Sequence, residues 1–322
     1  MKNAAEIKKQ LNLLGNQGKP FVFLIDFEGT TGEIFDPNNT SQLLWQVPGK
    51  RFSNEMQPIP QLKKWEVFPV AFSTYKKGFN QIKHHILSGD TYLLNYTQPT
   101  QIECNLTLEE IYSISSAPYK VLLKNRFVCF SPECFIKIEA GKISSFPMKG
   151  TIDATIENAP ERILKDSKET AEHNTIVDLI RNDLSRVAEK VTVEKFRYLE
   201  RLNTNRKDLW QVSSKITGDL PSNYASKIGD ILFKLLPAGS ISGAPKKKTI
   251  EIIKQAEKYS RGFYTGIFGV FDGINLDSCV LIRFIEQQGD QLVYKSGGGI
   301  TFMSDSKNEY DEMLKKVYVP VG

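Results

Sequence analysis

The sequence predicts an α+β fold, and three observations carry that prediction. Helical and strand patterns mix along the chain without the regular βαβ alternation of a doubly wound sheet. Toward the C-terminus, residues 264–271, 277–286 and 291–296 read as strands joined by Asp272-Gly273 and Gly289-Asp290 turns, the pattern of an antiparallel meander. No linker rich in Pro, Gly or Ser divides the 322 residues, which favours one domain over the two that length alone allows.

Each element has a local signal. Residues 4–14 place Ile7, Leu11 and Leu14 on one face of a short helix, closed by the turn formers between Gly15 and Pro20. Residues 21–25 are apolar throughout, a strand buried on both faces. Turn formers dominate 26–69, where a meander is expected. Residues 79–88 read as a helix closing at Gly89-Asp90, 92–98 and 127–138 as strands, and 107–115 as a short capped helix between them. In the second half, 159–187, 224–235 and 246–259 carry helical periodicity.

Composition narrows the class. At 40% hydrophobic and 25% charged residues the chain is neither disordered nor fibrous. No apolar run approaches the roughly 18 residues that span a bilayer. The first twenty residues lack the apolar stretch and cleavage site of a signal peptide, so a cytoplasmic location is expected. The net charge of +5 is weak and forms no basic stripe interleaved with aromatics, which disfavours nucleic acid and suits a small anionic substrate. Cys104, Cys129, Cys134 and Cys279 show no CxxC spacing and no neighbouring histidine, so free thiols are expected and zinc is not.

Five segments could carry chemistry. Glu169 and Glu172 share one helix face, and Glu309 and Glu312 repeat the spacing. Such faces are either solvated or invite a cation, and oxygen donors alone would favour Mg²⁺. Residues 236–246, LPAGSISGAPK, run small residues into a helix whose first amides, 242–247, could face an anion. Ala244-Pro245 separate Gly243 from Lys246, unlike a Walker motif, so nucleotide is disfavoured, and a merely tight helix start is the alternative. Gly297, Gly298 and Gly299 follow a strand pattern and mark a flexible hairpin, a bulge or a ligand lying against the backbone. Lys149, in Pro-Met-Lys-Gly-Thr, reads as lying on a sharp turn. It is a surface lysine unless that turn faces a pocket, where desolvation and cationic neighbours would make the amine nucleophilic. Glu133, among Phe130, Cys134 and Phe135, lies on a wet strand face or is a desolvated general acid.

Taken in order, SPECF, PMKGT, KETAEHNTIVDLIRNDLSRV, LPAGSISGAPKKKTIEII, GFYTGIFG, IRF and SGGGITFMSDSKNEYDEMLKK resemble the chorismate-utilising enzymes. These are component I of the anthranilate and aminodeoxychorismate synthases, with the isochorismate and salicylate synthases. The resemblance covers Tyr75 to the C-terminus, leaving 1–74 as a less recognisable lead-in to a single catalytic domain of 1–322. It implies two antiparallel sheets packed as a sandwich with helices outside. It also implies Glu172 and Glu312 as Mg²⁺ ligands, with Glu169 and Glu309 close behind, and Glu133 as general acid/base near the C4 hydroxyl of chorismate. Arg283, Tyr264, Ser240, Thr151, Lys316 and the Gly297, Gly298 and Gly299 amides are implied in substrate binding.

Lys149 sets the branch that the resemblance implies. Anthranilate synthases have alanine at this position and aminodeoxychorismate synthases have lysine, which attacks ring carbon C2 before ammonia enters C4. The water-using branches carry a different lysine, at a position that is Leu93 here. The expected reaction is chorismate plus ammonia to 4-amino-4-deoxychorismate, with ammonia supplied by a separate glutamine amidotransferase subunit and with neither nucleic acid nor membrane as partner. Anthranilate formation is the rival, and a non-catalytic anion-binding module built on the 242–247 helix start is the alternative from another class. Ala154, Gln211 and Phe284 depart from the family pattern, replacing an arginine, a histidine and a threonine.

Overall fold

The computed structural model describes residues 1–38, 41–52, 60–202 and 208–321. Two antiparallel sheets form a sandwich with helices outside, as expected for α+β. The first sheet runs in the order Lys2–Asn3, Thr31–Phe35, Phe21–Ile25, Ile267–Phe271, Leu276–Val280, Cys134–Glu139, Lys142–Ser145, Leu209–Asp219 and Met148–Asp153, with Glu189–Leu202 also on Leu209–Asp219. The second runs Gly243–Ala244, Leu93–Cys104, Gln291–Ile300, Phe284–Gln288, Phe127–Ser131, Tyr119–Leu123, Leu43–Val47 and Lys50–Phe52, with Trp65–Pro69 also on Leu93–Cys104.

Strand alternation explains the layers. Val22 and Leu24 face the second sheet, where they join Val121, Phe127 and Phe284 in the core between the sheets. Phe21, Phe23 and Ile25 face the other way, toward Ile7 and Leu11 of helix Ala4–Asn16 and Ile228 and Leu232 of helix Ile228–Leu235. The strand is buried on both faces, as its all-apolar sequence requires. Helix Leu108–Ile114 covers the outer face of the second sheet through Ile111 and Tyr112. Its capping box, Thr107 with Glu110, makes its start readable from sequence.

Several boundaries differ from expectation. The apolar run 127–138 is two strands in two sheets, Phe127–Ser131 in the second and Cys134–Glu139 in the first. Pro132, which has no N–H to give a ladder, lies at the exchange. The run 277–286 likewise divides into Leu276–Val280 and Phe284–Gln288, with Arg283 at a positive φ of 55° between them. The exchanges adjoin: Phe130 N–H donates to Arg283 O and Val280 N–H to Glu133 O, each at 3.1 Å. The strand expected to end at Ser296 continues through the glycines to Ile300.

Pro-Met-Lys-Gly-Thr is no sharp turn. It opens strand Met148–Asp153, whose register shifts between Met148 and Thr151 with Gly150 at φ 82°. The predicted helix 159–187 breaks at Asp166, which caps Ser167–Leu184 by accepting from Glu169 N–H at 2.9 Å. The predicted helix 79–88 starts earlier, as Phe72–Leu87, and the strand after it extends to Cys104. The hairpin of Glu189–Leu202 with Leu209–Asp219 was not foreseen. Within the expected meander 26–69, short strands form, while residues 39–40 and 53–59 lie outside the described residues.

Candidate active site

The two strand exchanges open onto a cavity of about 570 Å³. The exchanges themselves contribute Glu133 and Arg283, and strand Met148–Asp153 contributes Lys149 and Thr151. Helix Ser167–Leu184 presents Glu169, Glu172, Ile176, Ile180 and Asp183 at helical spacing along one face. Helix Ser306–Lys315, capped by Asp305, brings Glu309 and Glu312, with Lys316 following. Ser240, Tyr264, Gly297, Gly298 and Gly299 complete the wall, so every residue to which the resemblance gave a catalytic, metal-binding or substrate-binding role lines this one cavity.

The glycines form a smooth floor. Their strand keeps unbroken register with Leu93–Cys104, from Leu292 opposite Ile102 to Ile300 opposite Leu94, so neither a bulge nor a flexible hairpin explains them. A Cβ on Gly297 would stand 2.2 Å from Tyr96 O, which excludes any side chain. One on Gly298 would lie 3.5 Å from both Glu309 Oε2 and Lys316 Nζ, and one on Gly299 would lie 3.9 Å from Lys149 Nζ. Backbone therefore faces the charged groups at close range, which side chains at these positions would crowd.

Charge dominates the site. Lys149 Nζ lies 2.7 Å from Glu172 Oε2, and Lys168 Nζ lies 3.9 Å from Glu172 Oε1. Lys316 Nζ pairs with Glu312 at 2.7 Å and donates to Gly297 O at 2.9 Å. Burial pulls the Lys149 amine down, but the charge and hydrogen bond of Glu172, with Glu169 and Glu312 beyond, outweigh it and hold the amine above its ordinary value. This differs from the expectation that cationic neighbours would lower it: its neighbours are carboxylates. Burial raises Glu133 despite the Ser240 hydroxyl that donates to its Oε1 and the nearby charges of Arg283, Lys149 and Lys316. Glu133 lies between strands Phe127–Ser131 and Cys134–Glu139 and lines the cavity, so it is not on the face of either strand. A desolvated carboxyl held toward its protonated form can deliver a proton.

Burial also raises Glu169 and Glu309, helped by Glu172 and Glu312 respectively, so the four carboxylates crowd one another. Among the described residues no three His, Cys, Asp or Glu side chains converge closely enough to hold a metal ion unaided. Mg²⁺ commonly needs only one or two protein carboxylates, with water and substrate oxygens filling its octahedron, and this donor set fits that habit.

Some positions went unnoticed in the sequence. Lys168 and Asp183 line the cavity one turn before and three turns after Glu172, and the helical spacing could have found them. Asn95 and Lys295 also line it. Of the family departures, Gln211 is in the wall, while Phe284 is buried between the sheets and stacks on Phe127 with centroids 4.6 Å apart. The stretch 242–247 lines no part of the cavity. Its small residues have another cause: a Cβ on Gly243 would stand 1.9 Å from Leu93 O, where the chain pairs with strand Leu93–Cys104.

Comparison with known proteins places this geometry among relatives. A family model described as chorismate binding enzyme matches residues 38–321. An uncharacterized PabA-like protein of Haemophilus influenzae is 50% identical over 315 residues, covering 97% of this chain and 96% of its own. Aminodeoxychorismate synthase component 1 of Bacillus subtilis is 31% identical, covering 78% of this chain and 55% of its own. Anthranilate synthase component 1 of Acetivibrio thermocellus is 33% identical, covering 73% and 49%. The structure of the menaquinone-specific isochorismate synthase of Escherichia coli superposes with a TM-score of 0.77 at 15% identity, covering 98% of this chain and 81% of that one, which shows the shared fold.

Proposed function

Since this chain belongs to the family of chorismate binding enzymes, we propose that it aminates chorismate to 4-amino-4-deoxychorismate, as component I of an aminodeoxychorismate synthase. Identities of 31% and 33% to synthases of the two amination branches leave the choice to the cavity. The observation that carries the reading is Lys149: a primary amine inside the cavity, beside Glu172 and close to the glycine floor.

In the proposed reaction the neutral Lys149 amine attacks ring carbon C2. The ring double bonds shift, and the C4 hydroxyl leaves as water with a proton from Glu133, whose carboxyl Ser240 orients. Ammonia then bonds to C4, the double bonds shift back, and the lysine nitrogen leaves C2. Hydroxyl is thereby exchanged for amine with pyruvate retained. Arg283 and Lys316 offer cations to substrate carboxylates, and the glycine amides fix the ring's position, which is orientation rather than bond-making. Glu172 and Glu312, with Glu169 and Glu309 behind them, would hold Mg²⁺, which supplies charge stabilisation for a ring carboxylate and the developing negative charge. Five cationic side chains (Lys149, Lys168, Arg283, Lys295 and Lys316) face six carboxyl groups (Glu133, Glu169, Glu172, Asp183, Glu309 and Glu312) in the lining. That balance supports co-binding of a dianion with a divalent cation over binding of the dianion alone.

The rival, anthranilate formation, needs no lysine nucleophile and leaves Lys149 idle. The anion-binding module loses its basis, because residues 242–247 lie outside the cavity. Purified protein given chorismate, Mg²⁺ and ammonium salt, with products separated by chromatography, tests the proposal. 4-Amino-4-deoxychorismate is the expected product, fluorescent anthranilate would establish the rival, and no turnover would reject an amination role.

A further inference from the structure

The LPAGSISGAPK segment touches the site twice without using its helix start. Ser240 donates to Glu133, and six residues later Lys246 Nζ lies 2.7 Å from Asp183 Oδ2 while donating to Leu235 O at 2.7 Å. The two charged side chains are only 15% and 13% exposed. Asp183 lines the cavity in the last turn of helix Ser167–Leu184, the helix that carries Glu169 and Glu172. Its Oδ2 lies 3.0 Å from where a Cβ on Gly239 would stand, with Leu179 Cδ2 at 3.2 Å. The helix thus rests directly on the turn Gly239–Ile241, whose middle residue orients Glu133.

Building on the amination reading of this cavity, we propose that the Asp183–Lys246 ion pair is a positioning device that seats the Gly239–Ile241 turn against helix Ser167–Leu184, so that Ser240 and Glu133 stay aligned with the groups on that helix. A lone buried carboxylate is costly; Asp183 has Arg186 at 3.9 Å and Lys246 at 2.7 Å, and the nearer cation, Lys246, is itself fixed by a second acceptor, Leu235 O. Two directed contacts specify a position, whereas an apolar pair of similar volume would fill the space without specifying it. The pair also explains why the segment looks like an anion-binding loop: its lysine is engaged by a carboxylate of the protein. Ser240 and Glu133 govern proton delivery, and Arg283 and Lys316 hold substrate from other elements, so misplacement falls on kcat rather than KM.

Three variants of the full chain test this. Asp183→Leu with Lys246→Met removes both charges together and should remain folded. Its kcat should drop at least about tenfold with chorismate KM changed less than about threefold, the signature of a misplaced catalytic group. Gly239→Ala keeps both charges but forces the turn away from Asp183, and should reproduce that split. Lys246→Arg should retain wild-type kcat within about threefold, because the charge and its reach persist. A second readout is independent of turnover: NMR titration of the labelled Glu133 carboxyl should move upward in the first two variants, since the Ser240 hydrogen bond that lowers it is lost. Wild-type kcat and unmoved Glu133 titration in both would overturn the positioning role. Failure of the wild type itself to aminate chorismate would refute the functional reading, and the Glu133 titration would then decide the positioning role by itself.

Discussion

Glu172 is shared between two lysines, with Lys149 on one oxygen and Lys168 on the other. That sharing makes it the most consequential single residue of the site. Burial pulls the Lys149 amine down, and Glu172 together with Glu169 and Glu312 more than restores it, so the amine is held toward its protonated form, whereas the proposed attack needs the neutral amine. Turnover should therefore climb toward alkaline pH when free ammonia is held constant and saturating. Glu172→Gln should move that rise to lower pH, because it removes the largest influence holding the amine up. The same change removes a proposed Mg²⁺ ligand, and it should lower kcat by more than about 100-fold at low Mg²⁺, with partial recovery at high Mg²⁺. Glu169→Gln, one step back, should cost about 10-fold or less. Normal Mg²⁺ dependence in Glu172→Gln would refute the metal assignment. The i, i+3 spacing marked Glu172 and its partners only as a solvated face or a cation site, and the resemblance supplied the role, whereas the charge state of Lys149 was readable in neither. That state depends on a carboxylate from another element, 23 residues along the chain.

At the level of elements, the site exists because two strands leave one sheet for the other side by side. Neither exchange was readable in the sequence. A strand passing between two buried environments stays apolar on both sides of the crossing, so the runs 127–138 and 277–286 each looked continuous. Pro132 was the visible clue to the first, and nothing comparable marks Arg283. The hairpin of Glu189–Leu202 escaped for the opposite reason. It lies on the sheet's edge with many exposed charged residues, which blur the alternation that marks a strand. Helices with capping residues, such as Leu108–Ile114, were readable nearly to the residue. The glycine strand yields a test at this scale. A Cβ on Gly298 meets only side-chain atoms at 3.5 Å or beyond, so Gly298→Ala should fold normally. The methyl group would fill the space between backbone and charged groups on which the proposed chorismate position borders, raising chorismate KM at least about tenfold, as steady-state kinetics and a thermal melt would show. An unchanged KM would mean that the ligand does not lie on this floor.

For the whole molecule, the catalytic, metal and substrate groups that the resemblance implies meet in one cavity, and the amination proposed for it leaves no place for glutamine hydrolysis. Burial raises the thiol of Cys134, the cysteine in its wall, to about 12, the reverse of what a glutaminase nucleophile needs. The purified chain should accordingly turn over chorismate with ammonium salts and not with glutamine, which leaves glutamine use to a separate amidotransferase subunit. Glutamine-dependent turnover by the pure chain would contradict that division. The central claim is that Lys149 is the nucleophile, and intact-protein mass spectrometry tests it most directly. Wild type mixed with chorismate and Mg²⁺ in the absence of ammonia should gain the mass of chorismate less water on the peptide containing Lys149. Lys149→Ala should bind chorismate, form no adduct and make no aminated product. An alanine variant that aminates chorismate at the wild-type rate would contradict the account.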